Sequence, residues 1–450
     1  MWELCNTKEI MGDDYMSANT VEANKKVMKP RWYLMIIVWI IALYYRIIAR
    51  TKFVKTNFKS YKEPSLILCN HASMIDMANV VGSMFPYRVC WVASIEEFNG
   101  RNWLFRRLGV FPKRKFTTDL IVIKRTAELI RKRNMSVCIY PEARFSFAGI
   151  NEDISKALGK LAKLCKCRVI VIKQKGNFVM SPQWNKHPYR GNKVYVEATE
   201  IFSAKDAETM SADTLQQKIE DAFVYNDYKW ANENKIRIKC KKRAQNIHKI
   251  LYKCPTCNKE RKTNSKGIHI WCENCNSKWE MDEYSELHCL TGETKFKLPS
   301  DWYLWEKQEC INEVNNGTYK FEDDVRIEKL INSKVKFKQI GTIHMTHDVH
   351  GYKLEGTLDD GTPFNLIKAP LSTRSVHIEY NYKGRGDALD IATLEDTWWV
   401  YPVNPCCLTK FNFATEAIYD KVASETNNIT NKGSNSKRGV LVGFPQKNYE

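Results

Sequence analysis

An imidazole and a carboxylate, His71 and Asp76, stand just after the apolar run Leu66-Ile67-Leu68-Cys69, in the segment Asn70-His71-Ala72-Ser73-Met74-Ile75-Asp76. An α-helix turns about 100° per residue, so five positions would splay the two side chains by roughly 140°. They meet only if His71 lies before the helix begins, which reads as strand, loop and helix start. An imidazole held by a carboxylate has one nitrogen fixed as donor and the other left to accept, the requirement for taking a proton from a hydroxyl. An ordinary helix N-terminus with an Asp in its first turn produces the same pair, so the pair alone leaves both readings open.

Further blocks follow in order. Gly109-Val110-Phe111-Pro112 runs into the cations Lys113, Arg114 and Lys115. A helix is expected from about 117 to 133 with Leu120, Ile123, Ala127 and Ile130 on its apolar face. A buried strand over 135–140 ends in Pro141-Glu142-Ala143-Arg144-Phe145-Ser146. A helix carrying Leu158, Leu161 and Leu164 precedes a third apolar strand at 168–172. The cations also fit a solvated turn, and Glu142 with Arg144 also fits a structural ion pair at a strand end.

These blocks together resemble the glycerolipid acyltransferase family, best known from the 1-acylglycerol-3-phosphate (lysophosphatidate) acyltransferases, over about 65–201. His71 and Asp76 match the family's catalytic His-x4-Asp. Gly109 to Lys115 match its Gly-x-Phe-Pro block with trailing cations. Pro141, Glu142 and Ser146 match Pro-Glu-Gly-Thr-Arg-Ser, except that Ala143 replaces the glycine, Arg144 comes one position early and Phe145 stands where arginine is usual. The resemblance implies an α/β domain, a mixed sheet flanked by helices, that transfers a fatty acyl group from a thioester, acyl-CoA or acyl carrier protein, to a lysophospholipid. The acceptor it implies is 1-acylglycerol 3-phosphate, giving phosphatidic acid in phospholipid biosynthesis. His71 would be the base and Asp76 its orienter. Arg114, Lys115 and Arg144 are candidates to fork an acceptor phosphate. Glu142 would hold glycerol hydroxyls or position a cation, with Ser146 beside it. No catalytic metal or redox cofactor is required.

The segment 32–45 is uncharged and apolar, with Trp32 and Tyr33 at one end and Tyr44 and Tyr45 at the other. It is short of the ~20 residues a spanning helix needs. From 25 to 62 there are ten Lys or Arg and no Asp or Glu. Cations near an anionic leaflet contribute about 1 kcal/mol each, so an N-terminal membrane helix is expected, lying in one leaflet or crossing, ranked ahead of a buried core helix as the alternative, with the catalytic domain on the cytoplasmic side. A secretory signal is not expected, because the apolar run begins some thirty residues in and has no small-residue cleavage site. The net charge of +19 asks for a polyanionic partner, membrane phospholipid or nucleic acid. Fifteen cysteines, an odd number scattered along the chain, argue against a disulfide framework.

Four cysteines have metal-ligand spacing. Cys254 and Cys257, then Cys272 and Cys275, form two Cys-x2-Cys knuckles separated by fourteen residues, the pattern of a zinc ribbon. Four thiolates close the coordination sphere, so the zinc is expected to be structural. Lys235, Arg237, Lys239, Lys241, Lys242, Arg243 and Lys249 precede the ribbon, after a helix expected over 212–230. Ribbon and basic run together admit an alternative, a non-catalytic nucleic-acid or membrane-surface binder. That alternative does not account for His71, Asp76 and the Pro-Glu block, so nucleic acid is ranked below the lipid substrates.

Strands and turns dominate 286–403, with strands expected at 335–340, 352–358, 364–368, 375–381, 389–393 and 398–401, then a closing helix at 411–422. The expected organisation is a flexible N-terminus (1–24), a basic membrane-associated helix segment (25–62), the acyltransferase domain (63–232), a basic linker with zinc ribbon (233–282), a β-rich module with its closing helix (283–423) and a disordered tail (424–450). The oligomeric state is left open.

Overall fold

The computed structural model describes residues 26–434 apart from 74, 99, 117–119, 186–190, 192, 333–334, 382–383, 394–395 and 405–406. The expected flexible N-terminus, 1–24, lies outside the described residues, as does the tail from 435 onward. Residues 424–434, expected to be disordered, are helical.

Helix α1 (Trp32–Ile48) leads into β1 (Lys52–Thr56), β2 (Ser65–Cys69), α2 (Asp76–Met84), β3 (Cys90–Ser94), α3 (Asn102–Arg107), β4 (Val110–Lys113), α4 (Leu120–Arg133), β5 (Val137–Ile139), α5 (Leu158–Cys165), β6 (Arg168–Lys175), α6 (Asn177–Met180) and β7 (Tyr195–Phe202). The seven strands form one sheet in the order β1-β7-β6-β2-β5-β3-β4. Strands β6, β2, β5, β3 and β4 run parallel, and β7 turns antiparallel to β6. Every residue of β2 is buried, as expected of a strand covered on both faces. Because β2, β5, β3 and β4 point the same way, the loops that follow them gather at one edge, where open α/β sheets hold their ligands.

Helix α4 buries Val122, Thr126, Leu129 and Ile130, with the expected Ile123 and Ala127 half-buried against the same core, whereas Leu120 is exposed. The expected helix over 212–230 is two helices, α8 (Ala212–Ala222) and α9 (Asp227–Glu233), after the short α7 (Ala204–Thr209). Asn226 breaks it by turning its side chain onto the Lys229 amide, an N-cap that starts a new helix.

Among the described residues no helix is long and apolar enough to cross a membrane, which corrects the spanning form of the N-terminal expectation. The 17 residues of α1 reach about 25 Å, short of a hydrocarbon core of about 30 Å. One face, with Met35 and Ala42, packs into the core beside α2, while Trp32, Ile36, Ile37, Ile40, Tyr44 and Ile47 are exposed.

Strands β8 (Thr263–Lys266), β9 (His269–Cys272), β10 (Lys278–Met281) and β11 (Leu287–Cys289) form a four-stranded sheet around the cysteine knuckles. Helix α10 (Pro299–Asn315) falls in a stretch expected to be mostly strands and turns, and the strand β12 (Phe321–Asn332) follows it. The inward line of α10 passes through Trp302, Glu306, Cys310 and Val314, and the buried Glu306 interrupts the apolar period that would have announced a helix. Strands β13 (Val335–Asp348), β14 (Gly351–Thr357), β15 (Pro363–Lys368), β16 (His377–Glu379), β17 (Ala388–Ala392) and β18 (Thr397–Pro402) join β12 in one sheet, ordered β15-β14-β13-β12-β18-β17-β16, antiparallel throughout. Helix α11 (Leu408–Ser434) closes the chain.

One apolar core runs from Ala72 and Phe147 in the first domain through Cys254, Ile270 and Trp279 of the ribbon to Tyr303, Ile378 and Phe413 of the C-terminal module. The ribbon is therefore a packed bridge. Its first knuckle is clamped to α10: Lys253 donates its amide to Glu306 at 2.6 Å, and the Trp302 indole donates to the Lys253 carbonyl at 2.9 Å.

Candidate active site

The site begins where β2 ends. Asn70 is buried, donating its side-chain amide to the Gln174 carbonyl at 3.0 Å and accepting the Gln174 N–H at 2.8 Å, which ties the end of β2 to β6. His71 is then held by the loop after β5. Its N–H donates to Glu142 Oε2 at 2.8 Å, and its carbonyl accepts from the Ser146 N–H at 2.7 Å. The Pro-Glu block thus fixes the backbone of the histidine block across adjacent strands.

His71 Nδ1 lies 2.9 Å from Asp76 Oδ2. The same oxygen accepts the amides of Ala72 at 2.6 Å and Ser73 at 3.0 Å, and Asn177 donates to the other oxygen. With the Nδ1 proton given to Asp76, Nε2 is left as an acceptor. Burial pushes the Asp76 carboxyl above its ordinary range, and His71 and the two amides oppose that shift. Asp76 also opens α2, where the helix N-terminus favours negative charge. Its side chain is 1% exposed, against 23% for His71, so the pair presents only the imidazole to the outside.

Two rings flank that imidazole. Tyr140 stacks on it at 4.2 Å between centroids, and Phe145 lies over it at 4.0 Å. Phe145 occupies the position where the resemblance expects arginine. Ala143, at the expected glycine, has φ +58°, the left-handed conformation that glycine adopts without a Cβ penalty. Gly109 has a different constraint: at φ +75° its added Cβ would come within 2.7 Å of Pro30.

Other candidates are placed differently from expectation. Glu142 is buried and holds main-chain groups instead of facing a substrate, accepting the amides of His71 and Glu152 and the Tyr225 hydroxyl at 3.1 Å. Burial pushes its carboxyl up to about 8, with the two amides opposing. Ser146 is buried and donates its hydroxyl to the Ile150 carbonyl at 2.7 Å. Arg144, expected to grip a phosphate, is 2% exposed and lies 2.7 Å from Glu152 and 2.8 Å from Glu416 on α11. Lys115 lies 3.2 Å from Asp390 on β17, and Arg114 is buried. In the sheet order β2-β5-β3-β4 the Lys115 loop is three strands from the His71 loop, about 14 Å at ordinary strand spacing.

Sequence reasoning missed Asn177, Tyr225 and Asp227. Asp227 accepts from the amides of Gly176 at 2.6 Å, Phe178 at 3.0 Å and Val179 at 3.2 Å, and so supports the short helix that aims Asn177 at Asp76. Burial pushes Asp227 up to about 6 against those three amides. The available signal was Gly176-Asn177 directly after an apolar strand.

The four ribbon cysteines converge, with all sulfur atoms within 4.8 Å of one another. Cys254 and Cys275 are 3.6 Å apart and Cys257 and Cys272 3.7 Å. A tetrahedral ion with metal–sulfur bonds of about 2.3 Å needs sulfur–sulfur edges of about 3.8 Å, so the donor set fits a closed tetrathiolate metal site. In the basic linker, four cations have partners within the chain: Lys235 over the Tyr284 ring, Arg237 with Glu283, Arg243 to the Met281 carbonyl and Lys249 with Asp387.

Residues 50–173 match the family model described as Acyltransferase. Among solved structures the chain is similar to the 1-acyl-sn-glycerophosphate (LPA) acyltransferase, PlsC, from Thermotoga maritima, at 17% identity and a TM-score of 0.34, covering 42% of this chain and 77% of that chain. Comparison with curated proteins returns no match.

Proposed function

We propose that this protein, whose residues 50–173 match the Acyltransferase family model, is a glycerolipid acyltransferase that moves a fatty acyl group from an acyl thioester to a lysophospholipid hydroxyl at a membrane surface. The observation that carries the reading is His71 Nδ1 at 2.9 Å from a buried Asp76, with only the imidazole reaching outward. His71 takes the hydroxyl proton at Nε2 as the oxygen attacks the thioester carbonyl. Asp76 keeps the proton on Nδ1 and stabilises the imidazolium that forms. Asn177 and the Ala72 and Ser73 amides hold Asp76 in line, and Glu142 holds the His71 backbone. The proton then passes from the imidazolium to the departing thiolate. Either acyl-CoA or acyl carrier protein suits as donor.

Formation of phosphatidic acid from 1-acylglycerol 3-phosphate would call on Arg114, Lys115 and Arg144 for the phosphate. Arg144 and Lys115 are engaged by carboxylates, so the reading is kept at the level of the lysophospholipid class. The exposed apolar face of α1 supports contact with one leaflet, helix axis along the surface. The cysteine cluster supports one structural zinc, which when bound would supply cross-linking of the ribbon and no chemistry at His71.

Purified protein with labelled acyl thioester and lysophospholipid micelles tests the reading. His71→Ala should lower transfer by about a thousandfold while the circular dichroism spectrum is retained. Near wild-type transfer by His71→Ala would reject the mechanism.

A further inference from the structure

Two cations in the motif blocks that would hold an acceptor phosphate are each met by a carboxylate from the C-terminal module. Lys115 Nζ lies 3.2 Å from Asp390 Oδ2 on β17, and the Asp390 side chain is fully buried. Glu96, from the loop after β3, belongs to the same cluster. Burial pushes its carboxyl up to about 8, with the Asp390 charge adding to the shift and Lys115 opposing it. Asp390 is the carboxylate in contact with Lys115, and Glu379 adds a second negative charge to its field. Arg144 lies between Glu152 at 2.7 Å and Glu416 at 2.8 Å, and Lys307 on α10 reaches Glu416 at 2.8 Å. Two cations there face two carboxylates. At the third position, where the resemblance expects arginine, Phe145 lies over the His71 ring.

A phosphomonoester carries between one and a half and two negative charges at neutral pH, roughly, because its second pKa is about 6. Moving that dianion out of water against ion pairs already balanced brings desolvation without a new partner. A phosphate esterified to a headgroup carries one delocalised charge and keeps the headgroup end in solvent, so it asks less of the site.

Building on the lysophospholipid reading above, we propose that the C-terminal module sets acceptor choice: Asp390 and Glu416 neutralise Lys115 and Arg144, and the site takes lysophospholipids whose phosphate is capped by a headgroup in preference to the phosphomonoester. Asp390 is the specificity-determining residue, acting on the acceptor through Lys115.

The experiment compares lysophosphatidylethanolamine with lysophosphatidate of the same acyl chain, in mixed micelles, with acyl-CoA and acyl carrier protein each tried as donor. The wild-type kcat/KM is expected to favour the capped acceptor at least about tenfold. Asp390→Asn, which removes the negative charge facing Lys115 and keeps the side-chain shape, is expected to shift that ratio toward lysophosphatidate by about tenfold, mainly through KM, the size of one charge-assisted hydrogen bond. A wild-type preference for lysophosphatidate overturns the proposal, and it does so even where Asp390→Asn fails to fold. An unchanged ratio in a folded Asp390→Asn protein overturns the role of Asp390. Folded wild-type protein that acylates neither acceptor with either donor overturns the acyltransferase reading itself, a result separable from a wrong preference.

Discussion

Replacing Glu416 with Gln measures how firmly the closing helix is bound to the first domain. Glu416 is buried and accepts from Arg144 at 2.8 Å, Lys307 at 2.8 Å, Ser375 at 2.8 Å and Asn412 at 3.1 Å. Burial alone would push its carboxyl up; Lys307 and Arg144 outweigh burial and hold it at about 2, against an ordinary value of 4.5. That depression favours the folded state by about 3 kcal/mol. The sign follows from the direction. A depressed carboxyl contributes its stability above the unfolded pKa, and loses it as pH falls from 4.5 toward 2. The same linkage leaves about half of that at pH 3. An unfolding entropy near 2.1 cal/mol/K per residue gives about 0.9 kcal/mol/K for the whole chain, so Glu416→Gln should lower Tm by about 3 °C at pH 7 and by about half that at pH 3. Near-UV circular dichroism melts at the two pH values give the comparison. A Glu416→Gln protein that melts within about 1 °C of wild type at pH 7, or a gap that does not narrow on acidification, would refute the network.

Three further outcomes follow from the geometry. Ala143→Gly should raise stability by about 0.5–1 kcal/mol, because a left-handed alanine costs roughly 1–2 kcal/mol and glycine's extra unfolded-state entropy returns part of that; the urea midpoint reads it, and a lower midpoint contradicts the strain at φ +58°. Elemental analysis should find about one zinc per chain, and chelation should lower melting temperature and transfer together, since Cys254 and Cys272 lie in the core that also contains Ala72; protein that is folded, active and free of zinc would remove the metal. Ile37→Asn with Ile40→Asn should weaken sedimentation with anionic vesicles by tenfold or more, roughly the loss of two buried isoleucine side chains, without altering the melt, as both residues are exposed; unchanged sedimentation would separate α1 from the membrane.

Short-range chemistry was legible in the sequence and long-range charge was not. His71 and Asp76 announce themselves through an apolar strand, a loop and a helix start, and the 2.9 Å contact needs only those local elements. The cysteine knuckles are equally local. Lys115 and Asp390, by contrast, are 275 residues apart, and Arg144 and Glu416 are 272 apart. A glutamate on a helix or an aspartate in a strand reads as a solvated charge unless the partner element is known to pack there. The same ignorance hid α10, whose core line includes a glutamate held by the Lys253 amide.

The departures from the family's third block become intelligible only with the C-terminal module in place. Arginine one position early does not aim at the His71 loop; it turns inward, over the Phe147 ring at 4.3 Å, to meet Glu416 on a helix that the acyltransferase-matched segment does not contain. That inward turn leaves position 145 for a ring, and Phe145 closes over the imidazole. A chain truncated after α9 would leave Arg144 with Glu152 alone and strip Phe147 of the Tyr380 ring, 6.0 Å away between centroids. The loop that holds His71 and the C-terminal module therefore share one packed core, joined by the Arg144–Glu416 pair.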